Sequence, residues 1–181
     1  VIYTALREGW KVFVSSVTDE YAVKSIFLTV KVTVITVIIN SVFGIFAAWL
    51  ITRFKFRGKK LISTLIDLPL TISPIIAGLI FVLTFGRQSA IYPFLEKWGI
   101  QIIFAVPGIV LATIFVTFPF ISREIIPVLT VKGTDEEEAA ALMGANGFQI
   151  FTQITFPHIR WAFLYGVVLC SARAMGEFGA V

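Results

Sequence analysis

Residues 32–52, VTVITVIINSVFGIFAAWLIT, carry no charged side chain, and with residues 25–31 the apolar pattern runs longer than the roughly 20 residues that span a bilayer. Such a run dictates a membrane helix. The rest of the 181-residue chain agrees: 57% of it is hydrophobic and only 14% charged, too apolar for an ordinary soluble domain and too thinly charged for a disordered one. Val1 is no initiator and Val181 falls inside an apolar pattern, so the chain reads as a fragment of a longer protein.

Topology follows from the charges. The first span, about 25–52, ends in Arg53, Lys55, Arg57, Lys59 and Lys60, a basic run without an acid, which the positive-inside tendency places in the cytoplasm. A second span, 61–85, returns outward with Pro69, Pro74 and Gly78 in its interior, so a kink is expected on a face turned toward protein. Residues 86–101 then read as an external loop, with room for a short interfacial helix near Tyr92 and Trp98. A third span, 102–122, comes back in and ends at Arg123 and Glu124; a fourth, 159–181, leaves again. The fold class expected is an all-α membrane protein.

This topology accounts for the formal charge of +4 without nucleic acid, since the basic residues do not alternate with stacking aromatics on a polar face. One cysteine, Cys170, excludes an internal disulfide, and with His158 the only histidine no transition-metal site or other cofactor site is expected. No G-x-x-x-x-G-K-[ST] phosphate loop occurs, so any use of ATP falls to a partner.

Three polar features lie within the spans. Arg173 sits about 20 Å along its helix from Ile159, and Glu177 is spaced to share a face with it, so the two either line a path for an anion or fix a helix interface. Asp67 is close enough to the cytoplasmic end to reach water or the basic run, and Asn40 is suited to a hydrogen bond between helices.

Between the third and fourth spans, residues 135–158 include E-A-A-A-L-M-G-A-N-G-F-Q-I-F-T-Q-I-T-F-P. A helical piece over 138–143, a break at Gly144, a second piece over 146–153 and a stop at Pro157 make a compact polar elbow beside the membrane. The elbow reads as a docking surface. Glu138, Ala139, Ala140, Gly144, Ile154 and Pro157 fall at the offsets of the EAA loop of ABC-importer permeases, which this segment resembles, with Phe156 where that family more often has Leu. The segment S-A-R-A-M-G-E-F-G-A-V, 171–181, resembles the signature of the sulfate and molybdate branch. Further stretches, I-D-L-P-L-T-I-S-P-I-I-A-G at 66–78, T-I-F-V-T-F-P-F-I-S-R-E at 113–124 and P-H-I-R-W-A-F-L-Y-G-V-V-L at 157–169, are similar to W-type permeases of sulfate/thiosulfate importers over nearly the whole chain.

The resemblance implies a type I importer bundle in the bacterial inner membrane, of which about four complete or near-complete helices of a six-helix subunit are present. It also implies a T-type permease partner, two cytoplasmic ATPase subunits and a periplasmic sulfate- or thiosulfate-binding protein. Within the elbow it implies that Glu138 pins the helix, Ala139 and Ala140 permit close approach, Gly144 turns the chain and Pro157 sets where the next span begins. A molybdate or tungstate permease is the nearest alternative. An ion-coupled carrier using Asp67, Arg173 and Glu177 has no use for the elbow, and a membrane hydrolase would have to use His158, which lies in the elbow rather than beside a serine within a span.

Overall fold

The computed structural model describes residues 18–86, 89, 92–97 and 105–176. These residues contain no strand. They form eight α-helices: α1 (Glu20–Arg53), α2 (Lys59–Thr71), α3 (Pro74–Phe85), α4 (Tyr92–Lys97), α5 (Val106–Lys132), α6 (Asp135–Leu142), α7 (Gly147–Ile150) and α8 (Phe156–Met175), with a π-helical segment, Phe151–Thr155, between the last two.

The buried residues of α1 are Val32, Thr33, Thr36, Asn40, Gly44, Ala48 and Ile51, recurring every three or four positions as one narrow stripe. Its large apolar side chains, among them Val34, Ile38, Val42, Phe43 and Phe46, point outward and are exposed. This inverts the pattern of a helix in water. Lipid tails are as apolar as leucine, so helices in a bilayer meet through small and hydroxyl side chains that let backbones approach.

Helix α5 lies at the centre, against α1, α8 and α2. Its Ile121, Ile125 and Leu129 form the core with Ala48 of α1 and with Ile159 and Cys170 of α8. Across the α1–α5 seam the Asn40 amide donates to the Thr117 hydroxyl at 2.8 Å, and that hydroxyl donates to the Thr113 carbonyl at 2.6 Å. The helix does not end at Arg123 and Glu124, where the expected span stops. Nothing at those two residues breaks a helix, and α5 continues to Lys132, where Gly133 at φ +70° turns the chain.

The expected second span is two helices rather than one kinked helix: α2 and α3 meet at a bend of 110°. Pro74 opens α3 and Pro69 lies inside α2. Proline lacks the N–H that would continue the ladder, and its ring drives the preceding residue out of the helical region; Ser73 is extended at ψ 138° and Ile72 at ψ 130°. By length and composition α1 and α5 suffice to cross a membrane, and α2 with α3 would count as a third span if the bent pair is one. Helix α8 carries His158, Arg160 and Arg173 and is less apolar, and the rest of its expected span, 177–181, lies outside the described residues.

Candidate coupling elbow

The elbow starts where α5 stops. After Gly133, Thr134 stands at the N-cap position of α6, whose first turn holds Asp135, Glu136, Glu137 and Glu138, four acids at the helix end where the backbone dipole favours negative charge. At the other end of α6 the Gly144 amide donates to the Ala141 carbonyl and the Ala145 amide to the Ala140 carbonyl, both at 3.0 Å. This pair of bonds is a Schellman cap, which requires a left-handed residue between helix and exit; Gly144 supplies it at φ +90°.

Two residues on, Asn146 caps α7. Its side-chain oxygen accepts from the Gln149 amide, and the Gln149 side chain accepts from the Asn146 amide, each at 2.9 Å. This reciprocal capping box abuts the Schellman cap, so the reversal of direction is made almost wholly by satisfied backbone groups. The turn is preorganised. At its tip Leu142, Met143 and Phe148 are 90%, 83% and 77% exposed.

The return limb departs from the sequence expectation. The second piece does not stop at Pro157; α7 leads through the π-helical segment into α8, with Pro157 in the first turn of that helix. The physical reason is local. Pro157 has no amide to donate and its ring crowds the carbonyl four residues back, while the Phe156 amide reaches to Phe151, widening the turn to five residues instead of ending it.

Glu138 is the acid that the motif singles out, yet its carboxylate is on the exposed side and accepts from the Thr134 hydroxyl at 2.7 Å. The neighbouring Glu137 is the one built into the fold. Its Oε1 accepts from Arg53 Nη2 and from the Thr155 hydroxyl, both at 2.8 Å, and Arg53 Nη1 donates to the Leu129 carbonyl at 3.2 Å. The Arg53 and Glu137 side chains are only 9% and 16% exposed. Alongside, His158 Nε2 lies 3.1 Å from Glu136 Oε2.

Among the other motif residues, Ala140 is buried, Ala139 is exposed and Ile154 lines a small recess with Arg53, Leu129, Glu137 and His158. Arg173 is half-buried near the end of α8, and Glu177 lies outside the described residues. Asp67 does not turn to the basic run: it pairs with Arg123 of α5, Nε to Oδ1 3.4 Å, beside a recess that includes Ser63 and Pro127. Sequence reading missed Arg53, Glu137 and Thr155. It also passed over the Asn146-x-x-Gln149 spacing, although that is a legible capping signal.

Residues 40–181 match the family described as binding-protein-dependent transport system inner membrane component. The chain belongs to that family. Among its relatives in this permease family, the sulfate transport system permease protein CysW of Escherichia coli is 47% identical over 181 residues, all of this chain and 62% of the relative. CysW of Synechococcus elongatus is 51% identical over the same 181 residues, 63% of its length. The probable sulfate transport system permease protein cysT of Prototheca wickerhamii is 39% identical over 176 residues, covering 97% of this chain and 69% of that one. The chain thus spans somewhat under two thirds of the CysW permeases that it matches.

Proposed function

We propose that the chain is a portion of the membrane-spanning region of a permease subunit that imports sulfate or thiosulfate across the bacterial inner membrane, driven by ATP hydrolysed in separate cytoplasmic subunits. One observation carries this reading: identity of 47% and 51% along the whole chain to proteins named as CysW sulfate permeases. The 39% shared with a cysT protein is lower, which supports the W-type assignment with a T-type permease as partner. A periplasmic sulfate- or thiosulfate-binding protein would deliver the anion.

In this reading α1, the bent α2–α3 pair, α5 and α8 cross the membrane, and the basic run 53–60 and the elbow face the cytoplasm. The exposed tip formed by Leu142, Met143 and Phe148 seats in a cleft of the ATPase. When ATP draws the two ATPase subunits together, each carries its elbow with it and the permease halves rotate against one another. A loop that yielded under this load would waste the motion. The two adjoining caps at Gly144 and Asn146 supply the stiffness. Arg173 and Glu177 belong to the anion path or to the helix interface beside it.

Membrane vesicles holding the full-length permease and its partners test the proposal through uptake of labelled sulfate with and without ATP. ATP-dependent uptake that resists excess molybdate is expected. Strong competition would move the substrate to molybdate, and uptake driven by an ion gradient alone would remove the chain from ATP-driven transport.

A further inference from the structure

We propose that Glu137 and Arg53 form a direct joint that carries movement of the elbow to α1, beside the packing of α1 on α5, making both positioning residues for transport; this rests on the importer reading above. The covalent chain gives the elbow two outlets, into α5 through Gly133 and Thr134 and into α8 through the π-helical segment. Helix α1 has neither. An open groove of about 700 Å³ separates Val42, Phe46 and Trp49 of α1 from Ala141, Ile150 and Phe151 of the elbow. Arg53 and Glu137 both line that groove and bridge its two sides.

The bridge has the features of a strut. The Glu137 Oε1 atom takes donors from two elements, Arg53 Nη2 on α1 and the Thr155 hydroxyl in the π-helical segment, while Arg53 Nη1 holds the Leu129 carbonyl in α5. Four parts of the fold therefore meet at one carboxylate and one guanidinium. The planar fork of arginine fixes both of its bonds at once, which a lysine cannot reproduce. Both side chains are largely buried, so separating them would strand a charge away from water.

Among the described residues Glu138, by contrast, ties only to its own helix start, where the Thr134 hydroxyl four positions back reaches it. The two adjacent acids therefore divide the work: Glu138 faces outward and Glu137 faces the bundle.

The test uses the full-length permease assembled with its ATPase, partner permease and binding protein, and reads sulfate uptake per ATP hydrolysed. Glu137→Gln keeps the shape and removes the charge; it is expected to assemble and hydrolyse ATP while its uptake per ATP falls by about tenfold, within the range of coupling between contacting residues. The exchanged pair Arg53→Glu with Glu137→Arg should recover part of that ratio where each single change loses it, an outcome that a mere folding defect does not produce. Thr155→Val, which leaves the ion pair in place, should lower the ratio less than Glu137→Gln. An unchanged ratio in assembled Glu137→Gln complexes, or an exchange no better than its singles, would overturn the joint. Absence of ATP-dependent uptake in the unsubstituted complex would instead count against the importer reading.

Discussion

Gly44 of α1 lies so close to Ile121 of α5 that a Cβ built on the glycine would stand 3.0 Å from the Ile121 Cβ. Gly166 of α8 approaches the same residue from another helix, with its own Cβ position 3.0 Å from the Ile121 Cα. Three helices are thus drawn together on one isoleucine. The close approach depends on two missing methyl groups rather than on a large apolar core.

Adding one of those methyls should be costly and specifically reversible. Gly44→Ala is expected to destabilise the protein by about 1–3 kcal/mol, the usual range for overpacking. Thermal unfolding in detergent measures it, and Ile121→Leu in the same chain should return part of the loss, because leucine lacks the Cγ2 branch that the new methyl meets at 3.0 Å. Additive losses in the double variant would show that the contact is not where the strain arises.

The hydrogen bond from Asn40 to Thr117 predicts a smaller effect. Interhelical polar contacts in membranes contribute about 0.5–2 kcal/mol, so Asn40→Leu should lower stability within that range and Thr117→Val, tested on the Asn40→Leu background, should add little. The readout is a double-mutant cycle on unfolding free energy.

At Gly144 the backbone, not the space, is the constraint: a Cβ there meets nothing within 4 Å, but φ is +90°. The cost should therefore follow the tolerance of each residue for the left-handed region. Asn is expected to be mild, Ala intermediate and Val worst, at about 1–2 kcal/mol or more of local strain, with sulfate uptake per ATP falling in the same order. Equal uptake by the Val and Asn variants would show that the turn geometry does not matter for transport.

Loss of the capping box should loosen the return limb without unfolding it. Asn146→Ala removes a cap worth about 1 kcal/mol, so amide exchange at 147–149 should quicken by about fivefold while α5 and α8 stay protected. Hydrogen exchange followed by mass spectrometry separates these regions.

These residues show what a sequence can and cannot announce. The helices were legible because an uncharged apolar run of bilayer length permits little else, and Gly144 was legible as the break between two short helical pieces and through the resemblance to the EAA loop. Arg53 was hidden in plain view. As the first of five cations after a span it looked like a topological signal, yet it is largely buried against Glu137, 84 positions away. Nothing local distinguishes it from Lys55 or Arg57, which are exposed; only the fold brings its partner near. Pro157 misled for the opposite reason. A proline normally reads as a stop, but here the π-helical segment before it widens the turn and absorbs the crowding, so the helical path continues. Asp67 was expected to reach water or the basic run; its side chain is half exposed, and its charged partner is Arg123 of α5 rather than a residue of that run.

The most direct test of the central claim is site-directed cross-linking from the elbow tip in the assembled full-length transporter. A cysteine placed as Met143→Cys or Phe148→Cys, both highly exposed positions, should cross-link to the ATPase subunit with a yield that changes when ATP binds, while Phe43→Cys on the outer face of α1 should not. Failure of both tip positions to reach the ATPase in complexes that contain it would contradict the elbow as the coupling site.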